Sequence, residues 1–227
     1  PAAAPAPPAE PAPPPAPPAP PWPSHGRLRY VVTYGNGGFV IGETVQEWQM
    51  DGGHYVIRSV AEPRGLARLR GSKRTQVSEG EVTPAGLRPQ TFRDQREGRD
   101  AEVATFDWAA GQIGFSGGRA PGRLADGAQD MTSVFYQLAW LVPRQDVDIA
   151  VATGSRVGRW TFEWIGEEQL ELPSGSLATL HLRTRSDGDT TEVWLAPALG
   201  GLPVRIRYVD RKGDAFEQTA DSPEKNQ

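Results

Sequence analysis

The chain has 227 residues, with 24 Lys and Arg against 28 Asp and Glu and no cysteine. The near-balance of charge excludes the broad basic field of a nucleic-acid binder, and the missing thiols exclude disulfides, thiolate zinc sites and cysteine nucleophiles. No apolar run approaches the roughly 20 residues that a membrane-spanning helix needs.

Thirteen of the 22 prolines fall in residues 1–23, which read PAAAPAPPAEPAPPPAPPAPPWP. Proline lacks the N–H that a helix requires, and little here is large enough to bury. Residues 1–24 are therefore predicted to be a disordered Pro/Ala-rich linker, extended in polyproline II as a stalk. The chain starts at proline, and the expectation is that an export signal or membrane anchor lies upstream of Pro1.

From residue 25 the pattern changes to period-2 alternation. Strands are predicted over 28–34, 39–50 and 54–60, with Asp51-Gly52-Gly53 as a hairpin turn. A weaker, Arg-rich strand is predicted over 66–77. Residues 90–97 and 101–108 read as a hairpin with Gly98 near its tip, followed by 112–116. In 157–165, Trp160, Phe162 and Trp164 share one face. Strands over 177–185, 191–195, 202–208 and 215–219 follow, with Asp187-Gly188 and Lys212-Gly213-Asp214 as turns. Residues 221–227 read as a frayed end.

One segment departs from this alternation. Met131, Val134, Phe135, Leu138 and Val142 recur at helical spacing, with Asp130 as the candidate N-cap and Pro143 as the stop. The prediction is an all-β domain over residues 25–220. An antiparallel curled sheet of about 11–13 strands forms a barrel or half-barrel, and one short helix, about 130–142, covers its concave face. A sandwich is the alternative.

Several stretches, in order, resemble a family of exported proteins of Gram-negative bacteria that carries a domain-of-unknown-function designation. They include Ser59-Val60-Ala61-Glu62-Pro63, Gly86-Leu87-Arg88-Pro89, Gln129-Asp130-Met131-Thr132-Ser133 with Tyr136-Gln137-Leu138, and Glu192-Val193-Trp194-Leu195-Ala196-Pro197. The resemblance spans roughly residues 28–220. It implies a β-rich envelope protein behind a proline-rich linker, located in the periplasm, and it supplies no catalytic residues.

The chemistry-bearing residues are sparse. His25, His54 and His181 have no neighbour at a metal-ligand spacing. Gly154-Ser155 and Pro173-Ser174-Gly175-Ser176 are not nucleophile elbows. Gly35-Asn36-Gly37-Gly38 joins two strands, so it offers no helix N-terminus to a phosphate. Asp107 is expected to cap the turn that follows it. No catalytic residue, metal ligand or cofactor is predicted.

Two features remain. Arg64, Arg68, Arg70, Lys73 and Arg74 lie in an acid-free run, and Arg68, Arg70 and Arg74 would share one face of a strand as a contact for anionic lipid headgroups or acidic polymers. Trp160, Phe162, Trp164, Phe135 and Leu138 are the expected lining of an apolar pocket. The function expected from these features is non-enzymatic binding of a lipid or acyl chain, with no nucleic-acid partner. An envelope scaffold that docks protein partners is the alternative, and a hydrolase assembled only in tertiary structure comes third.

Overall fold

The computed structural model describes residues 20–69 and 71–221. The first nineteen residues of the expected linker and the last six residues of the chain lie outside that range. The strands are β1 (His25–Tyr34), β2 (Phe39–Asp51), β3 (His54–Pro63), β4 (Arg74–Thr83), β5 (Gly86–Arg96), β6 (Glu102–Asp107), β7 (Gln112–Phe115), β8 (Gly122–Arg123) and β9 (Gln129–Asp130). The helix α1 (Ser133–Leu141) follows, and then β10 (Val147–Ala152), β11 (Val157–Leu172), β12 (Gly175–Ser186), β13 (Asp189–Ala196), β14 (Leu202–Val209) and β15 (Ala215–Ala220).

All fifteen strands form one sheet, ordered 8-7-6-5-4-3-2-1-15-14-13-12-11-10-9. The pairing of β1 with β15 joins the two halves of the chain, Tyr30 opposite Ala220 and Tyr34 opposite Phe216. Every pairing is antiparallel except that of β9 with β10. The sheet is curled but not closed by a hydrogen-bond ladder, since it ends at β8 on one side and β9 on the other. Its margins meet through side chains instead. Phe92, Phe106 and Ile113 from β5–β7 pack in one cluster with Leu124, Ala128 and Ala152.

The turn chemistry explains the hairpins. Gly52 and Gly53 between β2 and β3 have φ of 55° and 80°, a left-handed pair that residues with a Cβ rarely adopt. Asp107 Oδ1 accepts the Ala110 N–H at 2.9 Å, which is the turn-capping role its position suggests.

The strand count exceeds expectation for two reasons. β8 and β9 are only two residues long, too short for any alternation to show. β10 begins shortly after the helix, and its inward pair, Ile149 and Val151, is too brief a signal to separate from the segment before it.

The Arg-rich strand expected over 66–77 is a correction. Gly65–Leu69 is a turn of 3-10 helix, and extended structure resumes only at Arg74. Gly65 has φ of 55°. Ala67 N–H then bonds Arg64 C=O at 3.1 Å and Gly71 N–H bonds Ala67 C=O at 2.8 Å. Arg68 and Arg74 therefore do not share a strand face, and Arg70 lies outside the described residues.

α1 sits against the concave face, where both of its sides are covered: Val134, Tyr136, Gln137, Leu138 and Ala139 are all buried. Asp130 stands two residues upstream of the residue that caps the helix, Thr132, yet it does the capping work. Its Oδ1 accepts the N–H groups of Thr132 and Ser133, each at 2.8 Å. Val142 ends the helix in the left-handed region with φ of 44°, ahead of Pro143.

Trp22 falls within the segment read as linker, yet it is 3 % exposed. It packs edge-on against Tyr136 and Trp140. The folded body thus takes in residues ahead of β1.

Candidate functional site

The inward-facing rows of the strands change character along their length. On β1, Leu28 and Tyr30 are packed in the core, while Val32 and Tyr34 face open space. On β2 the row runs from Trp48 to Gln46, Thr44 and Gly42, and on β3 from Tyr55 and Ile57 to Ser59 and Ala61. On β14, Leu202 and Val204 are packed, while Ile206 and Tyr208 border the space. On β15 the row runs from Ala220 to Gln218 and Phe216. Large apolar side chains fill one end of the curled sheet. On β2 and β3 the residues that follow are small or polar, and this end of the curled sheet is left hollow.

The result is a cavity of about 960 Å³, open at the end where β1 finishes and β2 begins. Met131, Thr132 and Phe135 at the start of α1, with Trp160 of β11, border its inner side. Its wall mixes apolar residues such as Ile41, Ala61, Ile206 and Phe216 with amides and hydroxyls. Thr132 Oγ1 and Gln218 Oε1 have no hydrogen-bond partner among the described residues. Both residues border the cavity, but these two oxygens are enclosed within its wall.

A buried polar network fixes the cavity's inner end. Ser78 Oγ donates to Asp130 Oδ2 at 2.5 Å and lies 3.0 Å from the Tyr55 hydroxyl. Asp130 N–H donates to Ser133 Oγ at 2.9 Å. Burial pushes the Asp130 carboxyl up to about 6, against the pull of Ser78, Ser133 and Thr132 in the other direction. Gln137 Oε1 accepts the Leu87 N–H and Gln137 Nε2 donates to Ala85 C=O, while Gln129 Nε2 donates to Leu87 C=O. The Gln129–Ser133 stretch and Gln137 thus lock α1 to β4, β5 and the hairpin between them. Their chemistry is that of a clamp.

Phe135 and Trp160 border the cavity. Phe162 and Leu138 are fully buried in the neighbouring core cluster, and Trp164 packs against that cluster. Arg74 borders the cavity with its charge already matched: Nε and Nη2 reach Asp94 Oδ1 and Oδ2 at 2.8 and 2.5 Å. Arg68 is exposed on the 3-10 turn, where its Nε donates to Pro63 C=O at 3.2 Å.

His181, part of the material for the hydrolase alternative, stacks on Trp194 with ring centroids 4.2 Å apart. Its Nδ1 lies 2.7 Å from Glu168 and its Nε2 lies 3.4 Å from Glu192. The imidazole faces carboxylates on both nitrogens rather than a serine hydroxyl.

Reading the aromatic rows alone misses most of the cavity. The signal lies in Thr44, Gln46, Ser59 and Gln218, polar residues that share an inward row with Trp48, Ile57 or Phe216.

A family model described as a protein of unknown function, DUF3108, matches residues 29–221. No curated protein matches this chain. Among solved structures, the chain is similar to a β-barrel-like protein of the domain of unknown function DUF1849 from Brucella abortus. That match has a TM-score of 0.52 and 13 % identity, covering 86 % of this chain and 95 % of the other. At that identity the likeness is one of fold.

Proposed function

This chain belongs to the DUF3108 family, and we propose that it is a non-enzymatic protein of the cell envelope that shelters a lipid or acyl chain in the hollow half of its sheet. The cavity carries this reading. At about 960 Å³ it lies near the top of the range of about 300–1,000 Å³ common for small-molecule sites. Its Phe135, Trp160, Ile206 and Phe216 surfaces suit a hydrocarbon. An apolar chain there gains roughly 0.8 kcal/mol for each CH₂ removed from water. Polar wall residues such as Gln76 suit a polar group on the same ligand.

The envelope location rests on the Pro/Ala-rich segment of residues 1–23, a composition suited to a stalk that holds a domain away from a surface. The periplasm is the compartment proposed.

Native mass spectrometry of protein purified without detergent tests the binding reading. The expected result is an adduct, retained from the host or taken up from added fatty acid, with a mass in the lipid range. A bare protein after both treatments would overturn it and favour the envelope-scaffold alternative.

A further inference from the structure

The mouth of the cavity carries an uneven lip. Among the described residues, nine large apolar side chains are exposed, and six of them (Tyr34, Phe39, Val40, Leu66, Leu69 and Tyr208) stand at this end of the sheet. The four most exposed come from two neighbouring pieces of chain. Phe39 and Val40 open β2 at 72 % and 62 %, and Leu66 and Leu69 sit on the 3-10 turn at 84 % and 82 %. Arg64 N–H bonds Ile41 C=O at 2.8 Å, which holds the two pieces side by side. Ala67 of the same turn borders the cavity.

Basic residues outnumber acidic ones on this lip, where Glu62 and Glu97 also stand near Arg68 and Lys73. Residues 64–74 hold Arg64, Arg68, Arg70, Lys73 and Arg74 and no acid. Glu43, Glu62 and Asp94 match Arg64, Lys73 and Arg74. Arg68 and Arg96 have no ion pair among the described residues, and Arg96 borders the cavity mouth. The opposite lip is mixed: the turns after β12 and β14 carry Asp187, Asp189, Asp210 and Asp214 together with Arg211 and Lys212, and Asp187 is paired with Arg156.

We infer that the lip formed by Phe39, Val40, Leu66 and Leu69, with Arg68 and Arg96 beside them, docks the protein on a bilayer bearing anionic headgroups, with the cavity mouth beside the membrane. Exposed leucines and a phenylalanine enter the headgroup boundary, while adjacent guanidinium groups meet anionic lipids. A protein surface would leave unexplained why the exposed apolar groups gather at the mouth of an apolar cavity. This inference rests on the cavity reading for its purpose but not for its test.

The test is flotation of the full chain with vesicles of phosphatidylethanolamine and phosphatidylglycerol, compared with phosphatidylcholine alone. The chain is expected to float with the anionic vesicles. Leu66→Ser with Leu69→Ser, and separately Arg68→Glu with Arg96→Glu, should each weaken binding about tenfold. These positions are exposed or at the rim, and a matching circular dichroism spectrum confirms that each variant folds. Val56→Ser, exposed on another part of the sheet, should float as the parent does. Ser59→Leu, which narrows the cavity, should also float as the parent does. Absence from anionic vesicles, or parental binding by both double variants, would overturn the inference, and a loaded cavity in those experiments would leave the carrier reading standing.

Discussion

The two ends of the curled sheet are made from the same strands and the same pleat, yet one is solid and the other hollow. At the solid end, Trp22, Tyr30, Trp48, Tyr55 and Tyr136 fill the space between opposite walls. Tyr30 and Tyr136 spend their hydroxyls on Pro203 C=O and Gln46 Oε1, as buried phenols must. Four to six residues further along β2 and β3, the inward positions shrink to Gly42, Thr44, Ser59 and Ala61. The sheet alone supplies curvature. Side-chain volume at fixed register decides whether the curve encloses core or cavity.

The contrast can be broken most severely at the solid end. Tyr136→Ala removes the ring that Trp22 and Trp48 both contact, and should cost about 3–5 kcal/mol in chemical denaturation. Ile57→Ala, fully buried at the same end, should cost about 2–4 kcal/mol. Loss of less than 1 kcal/mol in both would mean that this end is not the tightly packed one.

Asp130 stands at the junction, and its effect is read against pH. Its folded carboxyl binds a proton more tightly than the unfolded one, because burial raises it from 3.8 to about 6. Its contribution is therefore most favourable below the unfolded value, falls as pH rises from about 4 to about 6, and is flat above. The fall is on the order of 3 kcal/mol. Asp130→Asn, which keeps an acceptor for Thr132 and Ser133, should remove that part of the slope in a series of denaturation midpoints. A slope unchanged in the variant would place its origin elsewhere.

The hollow end should behave in the opposite way. Ser59→Leu fills open space and should change stability by less than about 1 kcal/mol, while lowering the affinity for a fatty acid, measured by titration. Phe135→Ala, partly buried over the cavity, should cost about 1 kcal/mol of stability, with a modest loss of affinity.

Much of this fold is legible in the sequence because period-2 alternation and glycine-bearing turns are local signals. Asp51-Gly52-Gly53 specifies its hairpin, and the spacing of Val134, Phe135 and Leu138 specifies the helix. The 3-10 turn at Gly65–Leu69 is not legible, because arginine is compatible with either a strand edge or a turn and the deciding feature is the left-handed Gly65. Trp22 is hidden for another reason: a lone aromatic after a proline tract has no partner until Tyr136 and Trp140 meet it in three dimensions.

The site was half legible. Phe135 and Trp160 follow from an apolar face near a helix, but Phe162 and Leu138 look the same in one dimension and end up in the core. The difference depends on how far along the strand each residue sits relative to the packed end, which no local pattern encodes. The ordered stretch Gln129–Ser133 with Gln137, which carries the family resemblance, reads in three dimensions as the clamp that holds α1 over the sheet.

Titration of the parent, Ser59→Leu and Ile57→Ala with cis-parinaric acid addresses the division between the two ends most directly. The expected result is saturable binding by the parent, binding preserved in Ile57→Ala despite its lower stability, and binding weakened in Ser59→Leu despite its intact fold. Equal binding by the parent and Ser59→Leu would contradict the assignment of the hollow half as the ligand site.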